Sequence, residues 1–157
     1  MIALEYEIEK SLRVAIRTSI NAKAVTVPEL AEVKIIGFRL DSEDETEAGQ
    51  DANGLRVFIT AMPNSSDGFN GPDTIGPLRN MPVDIGYVTQ PDNDISRTIF
   101  VALENAVRSV FETFPIPYTM PSGVQFGAAM ITGAGSSDFG DYGQFGAFTV
   151  NMVLSLT

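Results

Sequence analysis

Between Leu4 and Ile20, apolar or small residues recur at spacings of three and four: Leu4, Ile8, Leu12, Ala15, Ile16, Ser19 and Ile20. This period predicts an amphipathic helix with one side turned to a core. Lys10, Arg13 and Arg17 fall on the opposite side. Glu5, Glu7 and Glu9 precede the bases, an order that suits the helix dipole, and Glu9 and Arg13 stand at pairing distance i, i+4. Val27-Pro28 predicts an extended exit, because the residue before a proline avoids helical angles.

The period then changes to two. Lys34, Ile36, Phe38 and Leu40 alternate with Val33, Ile35, Gly37 and Arg39, which reads as a mostly buried strand. Leu55 to Ala61 is a second strand, with Leu55, Val57 and Ile59 on one face. The polar stretch between them, ending in the turn dipeptide Asn53-Gly54, predicts an antiparallel pair joined by a long acidic loop. Residues 62–80 show no period and contain three prolines and three glycines, so a long loop is expected there. A third strand follows, in which Val83, Ile85 and Tyr87 alternate with Asp84, Gly86 and Val88.

Pro91-Asp92-Asn93-Asp94 supplies turn and N-cap chemistry for a second helix, from about Ile95 to Phe114. Ile99, Leu103, Ala106, Val107, Val110 and Phe114 make its apolar face, widened by Phe100 and Phe111. Arg97, Glu104, Arg108 and Glu112 mark the wet face, with Glu104 and Arg108 spaced to pair. Pro115, Pro117 and Pro121 end the helix. Val124 to Thr132 is a fourth strand, and Phe148, Val150, Met152, Leu154 and Leu156 define a fifth. A glycine-rich loop, GAGSSDFGDYGQFG, is expected between them. The fold class is therefore α+β: one mostly antiparallel sheet of about five strands covered by two helices, in the order α-β-β-β-α-β-β, as a single domain over 1–157.

Composition narrows the chemistry. The chain has neither Cys nor His, which removes disulfides, thiolate and imidazole metal sites, and the Ser/His/Asp and Cys/His nucleophile systems. Acids stand where a secretory signal would carry positive charge, and no window has the ~18 consecutive apolar residues of a membrane span, so no membrane partner is expected. The net charge of −10 is uneven. Residues 1–40 hold five acids and six bases, 41–54 six acids and no base, and 81–157 seven acids and two bases. This balance opposes gripping a nucleic-acid backbone, though DNA can pass such a surface without being held.

Three candidate sites remain. Asp41, Glu43, Asp44, Glu45, Glu47 and Asp51 offer oxygen ligands for Ca²⁺, but their spacing matches no EF-hand loop and a solvated loop is the simpler reading. Gly133-Ala134-Gly135 is a poor phosphate cradle, because a strand rather than a helix follows it. Lys10, Arg13 and Arg17 form a basic stripe, read most simply as a solvated helix face and more sharply as a match to the acidic loop of a neighbouring copy. Phe69, Ile75, Leu78, Phe139, Tyr142 and Phe145 are apolar residues in or beside the long loops. These nine residues are the candidate subunit or partner interface. No catalytic, metal or cofactor residue is assigned. A carboxylate- or metal-dependent enzyme and a Ca²⁺-dependent binding module stand as alternatives of another class.

In plan, the chain resembles the tail terminator (tail completion) proteins of tailed bacteriophages. The likeness runs through the helix IEKSLRVAIRTSI, the strand pair KIIGFRL and LRVFITA, the stretch MPVDIGYVTQPDND entering helix ISRTIFVALENAVRSVF, and the closing strand FTVNMVLSLT. The acidic 41–54 segment and the 62–80 loop depart from that plan. The resemblance implies a structural virion protein: a homo-oligomeric, hexameric ring that caps the tail tube, meets the head–tail connector and lets DNA pass. A neck or connector subunit is the neighbouring role. It also implies assembly in the bacterial cytoplasm, no cofactor and no enzymatic residues.

Overall fold

The structure, a computed structural model, describes residues 4–39, 55–62, 78–89, 94–112, 124–138 and 144–156. Helix α1 spans Leu4–Ala24 and buries Ile8, Glu9, Leu12, Ala15, Ile16 and Ile20, so the three-and-four spacing does become one inward face. A turn closes it, with the N–H groups of Thr26 and Val27 both donating to the Lys23 carbonyl. Val27 (φ −127°, ψ 84°) lies outside the helical region, as the following proline requires, and Pro28 opens a short 3₁₀ turn over Pro28–Glu32.

Five strands follow: β1 (Lys34–Gly37), β2 (Arg56–Ala61), β3 (Leu78–Thr89), β4 (Val124–Asp138) and β5 (Gln144–Leu156), with helix α2 (Asp94–Glu112) between β3 and β4. They form one sheet in the order β1-β2-β3-β5-β4. The β2–β3, β3–β5 and β4–β5 pairings are antiparallel. The expected architecture and element order are thus present.

Four local expectations need correction. First, β1 and β2 are parallel, with Ile35 opposite Val57 and Gly37 opposite Ile59. Their connection is too long for a hairpin, and a parallel pair needs a crossover of about a dozen residues or more, which this one supplies. Second, β1 is only four residues long and Phe38 is 73% exposed, so the strand is not buried on both sides. Third, β3 begins at Leu78 and runs through Pro82. The Pro82 carbonyl accepts the Met62 N–H just beyond the last β2 pair, so its missing N–H falls where β2 ends and no ladder bond is lost. Fourth, β4 continues to Asp138, with Ser137 opposite Phe145. The residues expected to start a loop instead form a bulge between Thr132 and Gly135, where Gly133 takes φ +60° and absorbs the register shift.

Both helices cover the same face of the sheet, α1 over β1 and β2 and α2 over β3, β5 and β4. The buried side chains form one cluster, drawn from the odd-numbered positions of β1 to β3 and the even-numbered positions of β5. Full burial of each large aliphatic chain contributes about 1.5–3 kcal/mol before entropy is counted. Where the helices meet, Ser19 Oγ donates to the Ala106 carbonyl at 2.6 Å and lies 3.1 Å from Ser109 Oγ. A small polar residue on the apolar face of α1 thus lets the two helices approach closely.

Candidate functional site

The alternation that fills the core leaves the second face of the sheet without a covering layer among the described residues. Ile36, Phe38, Phe58, Thr60, Asp84, Gly86, Val88, Phe145, Ala147 and Thr149 occupy the opposite register from the buried set. An antiparallel sheet with one solvated face normally alternates apolar-in with polar-out. Here the outward positions include large apolar groups: Phe58 is 36% exposed, Phe145 41% and Met62 40%. Of the described side chains on this face, Asp84 is the only acid, against Lys34 and Arg56.

In the middle of the face lies a hollow of about 450 Å³, rimmed by Phe58 and Phe145. Its floor consists of small residues, Gly86 and Ala147, opposite each other in the β3–β5 ladder. Asp84 and Thr149 close one side, and Thr149 Oγ1 donates to Asp84 Oδ1 at 2.8 Å. The Phe145 ring leans over Gly86, 3.8 Å from where a Cβ on that glycine would stand. The hollow is open and mostly apolar, and its one acid already accepts a hydrogen bond. It suits the burial of another surface better than acid–base chemistry.

Two polar ties set the sheet beneath this face. Glu9 is fully buried on α1 and its carboxylate accepts three bonds: from the Arg39 N–H (2.8 Å), from Arg39 Nη1 (2.7 Å) and from the Ala61 N–H (3.1 Å). Arg39 Nη1 also donates to the Ala61 carbonyl at 2.6 Å. The carboxylate expected to face Arg13 on the helix surface therefore turns inward and joins the C-terminal ends of β1 and β2. At the other tie, Tyr87 OH donates to Glu104 Oε2 at 2.5 Å. Burial, then this bond and the charge of Glu104, push the Tyr87 hydroxyl well above its ordinary value. Glu104 is thus engaged by Tyr87, and Arg108 pairs with Glu112 at 3.5 Å instead of with Glu104. Gly146 is indispensable here, since a Cβ on it would sit 2.7 Å from the Tyr87 hydroxyl oxygen and closer still to the ring.

Of the nine sequence-predicted interface residues, Lys10, Arg13, Arg17, Leu78 and Phe145 lie among the described residues, on α1, β3 and β5. Leu78 opens β3 at the end of the sheet where β1, β2 and β5 finish, and both ends of the segment carrying Phe69 and Ile75 leave from that same end. Phe69 and Ile75 themselves lie outside the described residues. Phe139 and Tyr142, between β4 and β5, also lie outside them, and their flanking strands reach the opposite end of the sheet. Phe145 lies on the open face, and Leu78, at an even-numbered position of β3, shares its register. On α1, Lys10 is exposed, whereas Arg17 Nη2 donates to the Val33 carbonyl at 2.8 Å and so secures the chain entering β1. The acidic 41–54 segment lies outside the described residues.

Sequence reasoning missed Phe58 and Glu9, though both left a signal. Phe58 alternates with Val57 and Ile59, so an aromatic stands in an outward slot. Glu9 precedes Leu12 and Ile16 by three and seven residues, inside the apolar stripe. Among the described residues, no group of three or more acidic side chains gathers as metal ligands would. Among the same residues, no helix is long and apolar enough to cross a membrane. In comparisons with known proteins, no family model and no curated sequence matches the chain.

Proposed function

We propose that this chain is a structural assembly subunit, and specifically a ring-forming tail terminator that caps a phage tail tube and joins it to the head connector. The observation that carries the assembly part is the sheet face that no described element covers, where Phe58 and Phe145 stay exposed beside a glycine-floored hollow and Met62 is exposed at the end of β2. An apolar surface of this kind on a rigid sheet stabilises association, because burying it removes water from aromatic area. The tail-terminator part rests on the resemblance in plan of helices and strands. A chain of net charge −10 also suits a channel wall past which DNA slides without being held.

Negative-stain electron microscopy of the purified protein, alone and with tail tubes, tests this. The expected result is rings that cap tubes at one end and stop their growth. Rings that bind connectors but ignore tubes would move the assignment to a neck subunit. Uniform monomers indifferent to both would overturn it.

A further inference from the structure

We propose that the open sheet face pairs with the same face of a second copy of this chain, in a two-fold, sheet-on-sheet contact. The inference goes beyond the tail-terminator reading and does not require it.

Three observations carry it. The first is extent. At a strand spacing of about 4.8 Å and a rise of about 3.4 Å per residue, the three long strands and two short ones present on the order of 800 Å². That matches the ~800 Å² per partner of a stable protein–protein interface. The second is charge. Two copies at −10 each repel unless they meet through a surface poor in acids, and of the described side chains here only Asp84 is acidic, already bonded by Thr149. The third is shape. One face carries both the projections, Phe58 and Phe145, and the hollow over Gly86 and Ala147. A two-fold contact uses one patch twice, so a surface that holds both knob and hole is self-complementary. Stacked sheets lie about 10 Å apart, close enough for the aromatic rings of each copy to enter the hollow of the other.

The pairing uses the face and leaves both sheet edges, β1 and β4, outside the contact. Ring closure through other surfaces therefore remains open, and face pairing would then join two rings into a double layer.

Sedimentation of the full chain over a wide concentration range tests the proposal with two variants. Gly86→Val fills the hollow; a Cβ at Gly86 meets only ordinary contacts of 3.8–4.0 Å and the backbone there is not left-handed, so the backbone accepts a side chain at this position. Phe145→Asp places a charge on the rim. Each is expected to raise the dissociation constant of the pair by about tenfold or more, as loss of a central anchor does. If the wild type forms double rings, each variant is expected to halve the particle mass. Circular dichroism and melting temperature should stay near wild type, which separates lost pairing from lost folding.

The chain has no cysteine, so one introduced thiol reports geometry. Ala147→Cys, on the floor of the hollow, is expected to react more slowly with a thiol reagent as concentration rises and the pair forms, while Thr18→Cys on exposed α1 keeps its rate. A wild type that is monomeric throughout, or one whose association ignores both variants, would overturn the pairing. So would an Ala147→Cys thiol that is labelled at the same rate at every protein concentration. Rings whose mass the variants leave unchanged would overturn it too, with the ring-forming reading left standing.

Discussion

The two faces of the sheet come from the same strands, yet they answer to different constraints. On the covered face every described position of β2 and β3 is buried, and the side chains interlock with α1 and α2 in one cluster. On the open face, neighbours on the same strands mix polar, small, aliphatic and aromatic residues, and they stand outside that cluster. The covered face is explained by folding alone. The open face carries aromatic rings that no described element of the chain covers, and the proposed pairing rests on that difference.

Changes on the covered face should unfold the protein, beginning with Glu9, the one charge buried among the described residues. Glu9→Ala leaves the N–H groups of Arg39 and Ala61 without their carboxylate partner and parts the ends of β1 and β2. Removing one member of a buried pair costs about 3–5 kcal/mol, and Arg39, with its side chain 27% exposed, places this case near the lower end. Urea unfolding should show a loss of about 3 kcal/mol. A loss no larger than that of an exposed substitution would mean the clasp is not holding the parallel pair.

Next in size is Gly146→Ala. The new methyl group collides with the Tyr87 ring, which is packed against Phe100 and Phe148 with centroids 5.4 and 6.2 Å away. Overpacking of this kind costs about 1–3 kcal/mol and should also break the Tyr87–Glu104 bond. The double variant with Tyr87→Phe keeps the ring clash, so thermal unfolding should remain depressed. Tyr87→Ala should relieve the clash and make the second substitution nearly silent.

The same tyrosine sets a pH limit. Its folded-state hydroxyl holds its proton above the ordinary value of 10.0, so the unfolded chain is the one that ionises first as pH rises. Fewer protons are then bound in the unfolded state than in the folded one, and stability falls with pH. The contribution is fully present below about pH 10 and should decline above it by about 1.4 kcal/mol per pH unit. Tyr87→Phe should flatten that decline in urea titrations at alkaline pH. An unchanged slope would assign it to other groups.

Much of this architecture was legible in the sequence, because periods of 3.6 and 2 follow directly from burial on one side. Leu12 and Ile16 on α1, Val57 and Ile59 on β2, and Leu103 and Val107 on α2 all point where the pattern places them. Pairing direction was not legible, since local alternation is the same in parallel and antiparallel strands; only the length of the connection distinguishes them. The limits of β4 were hidden by glycines that look like loop but act as a bulge. The candidate surface was half visible. Phe145 stood out beside its glycines, while Phe58 was disguised by apolar neighbours on both sides. Glu9 was read as a surface charge, because a helical pattern gives the side of the helix and not what reaches in to meet it.

The smallest expected effect on stability is also the sharpest test of the difference between the faces. Phe58 is 36% exposed on the open side, whereas Ile59, the next residue along β2, is fully buried. Ile59→Ala removes core volume and should cost about 2–5 kcal/mol. Phe58→Ser removes a larger side chain, yet if that ring serves contact and not folding the loss should stay within about 0.5 kcal/mol. Urea unfolding of both variants, at a concentration low enough to keep the chain dissociated, makes the comparison direct. A Phe58 loss approaching that of Ile59 would mean the open face is covered within the chain itself. A silent Phe58→Ser that still weakens association would place its energy between molecules.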